Sequence, residues 1–106
     1  MIELNKDNYD EKVLGYKGVS LVDFWSETCE GCLDIIPDLE TLEVKYKGRV
    51  NFGKVNIKGN RRLAIREKVL GLPSLLIYKN GEKLLSFSKE IDMAEVEEKL
   101  KEIVGG

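Results

Sequence analysis

An α/β fold, with strands running partly parallel and partly antiparallel, is predicted by three features of this 106-residue chain. Strand-like and helix-like segments alternate through most of the sequence, the pattern of parallel strands joined by helices. Val19 to Trp25 is almost continuously apolar, as a central strand covered on both faces must be. Further on, Lys79-Asn80-Gly81-Glu82 supplies a hairpin turn, because Asn-Gly tolerates positive φ at both central positions, and a hairpin adds an antiparallel edge. The length is enough for one domain with a real core, spanning residues 1–106, but not for two.

The elements follow in order. Ile2 to Asn5 is a short first strand, and Asn5 or Asp7 can cap a short helix over Tyr9 to Leu14 that Gly15 ends. After the strand Val19 to Trp25, residues from about Cys32 to Lys47 place Ile36, Leu39, Leu42, Val44 and Tyr46 at roughly helical spacing, closed by Gly48. Pro37 falls inside that helix and predicts a kink. Arg49 to Ile57 reads as a second core strand, and Asn60 can cap a short helix through Lys68. Gly71-Leu72-Pro73 breaks the chain before a strand over Ser74 to Tyr78, and Lys83 to Phe87 returns from the hairpin. Asp92 caps a final amphipathic helix to Val104, with Val96, Leu100 and Ile103 turned inward. The predicted order is β-α-β-α-β-α-β-β-α.

Composition excludes several functions. The net charge is −2 and no basic stripe stands out, so no nucleic-acid partner is implied. No apolar run approaches the roughly 20 residues of a membrane span, so no membrane partner is implied either. The opening residues Met1 to Asp7 lack the basic and apolar regions of a signal peptide, which predicts a cytoplasmic protein.

The chemistry concentrates at Cys29 and Cys32, the only two cysteines. They sit at a strand-to-helix junction, where the free N–H groups and dipole of a helix N-terminus favour a thiolate. In a reducing compartment so short a bridge is no structural staple. A structural zinc site normally takes four ligands, and this chain has no histidine and no third cysteine, so only a metal shared between two chains would remain. Redox chemistry is the stronger reading, with no metal and no further cofactor. Asp23 stands in the middle of the apolar run Val19 to Trp25, on the face shared by Val19 and Leu21, where an ionised carboxylate is costly to bury. Lys54 is an equally odd charge in mid-strand, and an ion pair between the two is one reading.

Taken together, Val22-Asp23-Phe24-Trp25, Cys29-Glu30-Gly31-Cys32, Pro37, Lys54-Val55-Asn56, Gly71-Leu72-Pro73-Ser74 and Lys79-Asn80-Gly81-Glu82 resemble the thioredoxin family, in order and spacing, over nearly the whole chain. The resemblance implies a thioredoxin fold, a central mixed sheet flanked by helices. It implies a protein-disulfide reductase in which Cys29 attacks and Cys32 resolves, Asp23 moves the proton, and Lys54 lies on the proton path. It also implies a cis Leu72–Pro73 bond facing the disulfide, and a substrate surface of Trp25, Thr28, Glu30, Gly31, Leu72 and Pro73. The implied partners are protein disulfides and a thioredoxin reductase-type electron donor, met by a monomer.

The contact surface departs from the family's pattern. Thr28 stands where a tryptophan is usual, Glu30-Gly31 where Gly-Pro is usual, and Leu33 where a lysine is usual, while Ser88-Lys89-Glu90 replaces a stretch with a small residue. A narrow partner set is one expectation from this. Glu30 disfavours the Cys29 thiolate and so strengthens the reductant, whereas Gly31 loosens the reduced loop and weakens it. A disulfide oxidant or isomerase, and a non-catalytic interaction module on the same fold, are the alternative functions.

Overall fold

The structure is a computed structural model that describes residues 1–105. Five strands form one sheet in the order β1-β3-β2-β4-β5, with β1 at Ile2–Leu4, β2 at Val19–Trp25, β3 at Val50–Asn56, β4 at Ser74–Lys79 and β5 at Glu82–Ser88. β1 and β2 both run parallel to β3, while β4 runs antiparallel to β2 and β5. The helices are α1 at Glu30–Asp34, α2 at Ile36–Lys45, α3 at Arg61–Arg66 and α4 at Met93–Gly105. This is the mixed α/β arrangement that the alternation and the hairpin predicted.

Strand alternation divides the core in two. One set of side chains (Val19, Leu21, Val50, Phe52, Leu75 and Ile77) packs with Leu39 and Leu42 of α2 and Val96 and Leu100 of α4. The alternate set (Val22, Phe24, Val55, Leu76 and Tyr78) packs with Leu4, Tyr9, Val13 and the α3 residues Leu63 and Ala64. β2 therefore has a core on each face, which is why its sequence is continuously apolar. Each fully buried Leu, Ile or Phe here contributes about 1.5–3 kcal/mol relative to exposure.

The hairpin turn is as the sequence implied. Asn80 has φ +53 and Gly81 φ +83, and the Asn80 side chain accepts from Gly18 N at 2.9 Å while its own N–H donates to Gly18 O at 2.9 Å. Asp92 caps α4, its Oδ1 accepting from the N–H groups of Ala94 and Glu95.

Five local expectations are corrected. The helix expected from Cys32 to Lys47 is two helices, separated at Ile35. Pro37 then lies in the first turn of α2, where a missing N–H has no intrahelical partner to lose, so the chain restarts rather than kinks. Of the predicted apolar stripe, Leu39, Leu42 and Tyr46 are buried, while Val44 faces outward and Ile36 is left 37 % exposed. The helix expected over Tyr9 to Leu14 is a single wide π turn at Asp10–Leu14, closed by Gly15 N donating to Asp10 O at 2.8 Å. Asn60 precedes α3 but does not cap it. Its Oδ1 accepts from Lys6 N at 2.9 Å and its Nδ2 donates to Asn56 O at 2.9 Å, so a distant segment takes the side chain.

One buried polar chain has no counterpart in the sequence reading. The hydroxyls of Tyr9 and Tyr78 lie 2.6 Å apart, and Tyr78 also donates to the Glu67 carboxylate. Burial pushes both phenols well above their ordinary range.

Candidate active site

β2 ends at Trp25, and Ser26 to Thr28 turn the chain into α1. Ser26 O accepts from Cys29 N at 3.2 Å, and the Ser26 hydroxyl accepts from Thr28 N at 3.3 Å. Cys29 occupies the N-cap of α1 in extended conformation, and its Sγ accepts from Cys32 N at 3.2 Å. The side chain of Cys29 thus meets one of the orphan N–H groups of the helix start. Cys29 and Cys32 are joined as a disulfide with their Cα atoms 5.2 Å apart. The two ends differ in access: Cys29 is half-buried and Cys32 has 0 % exposure.

The Gly71-Leu72-Pro73 segment packs against this loop. The Leu72–Pro73 bond is cis, as expected, and Pro73 is buried. A Cβ on Gly31 would lie 3.2 Å from the Pro73 Cδ, so the proline ring rests directly on the backbone between the cysteines. Thr28, Glu30 and Leu33 are exposed around the pair, Trp25 and Leu72 are half-buried, and Lys89 N donates to Pro73 O at 2.8 Å.

Asp23 is 3 % exposed and shares a cavity of about 140 Å³ with Trp25, Ile36, Glu40, Glu43 and Lys54. Its Oδ1 has no hydrogen-bond partner among the described residues. Burial raises its pKa from 3.8 to about 7, with the Lys54 charge pulling the other way. The register sets Asp23 opposite Lys54, yet the two form no ion pair. The Lys54 ammonium lies instead 5.7 Å from the centroid of the Trp25 ring. The ion-pair reading of these two residues is therefore corrected: they share a cavity and a field, not a salt bridge.

Sequence reading did not single out Glu40 and Glu43, which α2 directs toward the same cavity. Their spacing from Ile36, at 36, 40 and 43, is that of one helix face and is the signal that could have found them.

A two-cysteine disulfide at a helix start, set on this mixed sheet, defines a thiol–disulfide oxidoreductase. Comparison with known proteins agrees. A family model described as Thioredoxin matches residues 1–102. The thioredoxin of Acetoanaerobium sticklandii is 49 % identical over 85 % of this chain and 86 % of its own. The thioredoxin of Peptoclostridium acidaminophilum is 42 % identical over 85 % of this chain and 82 % of its own, and that of Buchnera aphidicola from Acyrthosiphon pisum 35 % over 96 % and 94 %. The chain belongs to the thioredoxin family. It is a protein-disulfide reductase, for which the family implies protein disulfides as substrates and a reductase as electron donor. Among the described residues no helix is long and apolar enough to cross a membrane.

Proposed function

We propose that Cys29 is the attacking thiol, Cys32 the resolving thiol and Asp23 the proton acceptor, with Lys54 lining the proton path. The observation that carries this reading is the asymmetry of the pair: solvent reaches Cys29 and not Cys32. In the reduced protein the Cys29 thiolate attacks one sulfur of a partner disulfide. A Cys29–partner disulfide forms, and the partner's other sulfur leaves as a thiolate that takes a proton from water. The Cys32 thiol then gives its proton to the Asp23 carboxylate, and its thiolate attacks Cys29 Sγ. The Cys29–Cys32 bond forms, the second partner sulfur leaves as a thiolate and is protonated, and two electrons have passed to the partner. A carboxyl with a pKa near 7 can accept and return a proton at neutral pH, which an ordinary aspartate does poorly. An external reductase then restores the dithiol.

Trp25, Thr28, Glu30, Gly31, Leu72 and Pro73 form the surface that meets the partner, within one chain, so a monomer suffices. Pro73 offers no N–H toward the disulfide, which leaves neighbouring backbone groups to pair with an extended partner segment. Thr28 withholds a large aromatic anchor, and Glu30 adds a charge that favours basic partner loops, which together support a narrow partner set. A reductant of this kind works in a reducing compartment, hence the cytoplasm.

Two measurements test the assignment. Reduced protein treated with limiting iodoacetamide and mapped by mass spectrometry is expected to carry the label on Cys29, and Cys32→Ser is expected to hold insulin chains as mixed disulfides on Cys29. Label or trapped partner on Cys32 would reverse the roles. For the partner set, kcat/KM with a standard bacterial thioredoxin reductase is expected to rise in Thr28→Trp and Glu30→Gly; no rise in either would remove the case for specialisation.

A further inference from the structure

Three residues other than glycine have left-handed backbone: Lys68 at φ +63, Asn80 at φ +53 and Lys89 at φ +66. Local structure accounts for two of them. Asn80 makes the hairpin turn, and Lys68 ends α3, with its N–H on Ile65 O and the next N–H, from Val69, on Ala64 O. Lys89 lies past the end of β5, ends no helix and forms no hairpin turn, and a lysine seldom adopts this conformation. Backbone held in such a region without a local reason points to function.

The surroundings of Lys89 show what it could serve. Its N–H donates to Pro73 O at 2.8 Å, and Pro73 rests on Gly31 between the cysteines. Its aliphatic stem is laid over Gly71: a Cβ there would meet Lys89 Cε at 2.8 Å and Cγ at 3.2 Å. The residue is exposed, and among the described residues no carboxylate lies within ion-pair distance of its ammonium. A cation is thus held beside the Leu72–Pro73 segment, on a bed that only a residue without a side chain leaves open, and is left unneutralised.

We propose that Lys89 is a specificity residue that pairs with a carboxylate on the partner segment flanking the partner's reactive cysteine. This rests on the reading of Leu72 and Pro73 as substrate surface. The glycine at 71 is then part of the device, because any side chain there would displace the lysine stem.

The test uses two peptide disulfides that differ only in flanking residues, Glu in one and Gln in the other, with dithiothreitol as the electron donor. Rates are read as a Glu/Gln ratio, which does not depend on how much protein is folded. The ratio is expected to fall about two- to fivefold in Lys89→Gly, the range that an exposed ion pair supplies, and to be kept in Lys89→Arg. Gly71→Ala, which keeps the charge and moves the stem, is expected to lower the ratio as well. In the unmodified protein the ratio should fall at about 0.5 M salt through screening. A ratio that is the same in Lys89→Gly as in the unmodified protein would overturn the inference. Failure of the unmodified protein to reduce either peptide would overturn the reading of the site beneath it.

Discussion

Asp23→Asn is expected to stabilise the oxidised protein at pH 8 and to leave it nearly unchanged near pH 4. The buried Asp23 carboxyl keeps its proton up to about pH 7 in the folded state, whereas the unfolded chain releases it near the ordinary value of 3.8. Between those limits the folded state binds more protons than the unfolded one, so this residue's contribution to stability falls as pH rises, and levels off above pH 7. At 1.36 kcal/mol per pH unit the gap is worth about 4 kcal/mol. Asparagine is neutral and nearly isosteric with the protonated acid, so it leaves the cavity as it is and removes only the cost of ionisation. Urea unfolding of both proteins at intervals from pH 4 to pH 8, followed by circular dichroism, should show a difference that grows from near zero to about 4 kcal/mol. A difference that does not change with pH, or that stays under about 1 kcal/mol at pH 8, would mean that Asp23 ionises at little cost. The Lys54 charge would then dominate over burial, and the case for proton transfer at neutral pH would go with it.

Two other substitutions probe the frame that holds the site. Gly81→Ala places a Cβ 2.1 Å from Leu14 O at a φ of +83, so a loss of about 2–4 kcal/mol is expected in thermal or urea melts. Gly81→Asn should lose nearly as much, because the clash with the Leu14 carbonyl remains even though asparagine tolerates the angle; a loss under about 1 kcal/mol in both would show that the hairpin moves freely away from Leu14. Tyr78→Phe leaves the Tyr9 hydroxyl and Glu67 without their shared partner and is expected to cost about 1–3 kcal/mol. Adding Tyr9→Phe should cost less than it does alone, since one orphaned hydroxyl is removed; strict additivity in the double-mutant cycle would refute the coupling of the three groups.

Much of this protein was legible in the sequence because the deciding forces are local. The continuous apolar run of β2, the Asn80-Gly81 turn and the Asp92 cap depend on residues within a few positions of each other. Cys29 and Cys32 are likewise close enough in sequence for their chemistry to be read from spacing, and the acid at Asp23 announced itself by standing in an apolar run. The tertiary structure decided what depends on distant neighbours. Ile35 is a buried member of the core beside the sheet, and the chain breaks there between α1 and α2 rather than bending at Pro37. The Asn60 side chain bonds Lys6 N, far off in sequence, because β1 pairs beside β3 and brings the segment after β1 to the end of β3. Lys54 faces Trp25 rather than pairing with Asp23, although strand register made the two direct neighbours. Lys89 carries a departure that sequence could only name; its folded position over Gly71 and its bond to Pro73 arise from β5 returning beside β4. Spacing along a chain specifies which groups can interact within a turn or a strand, while the choice among partners far apart in sequence is made only when the sheet has brought them together.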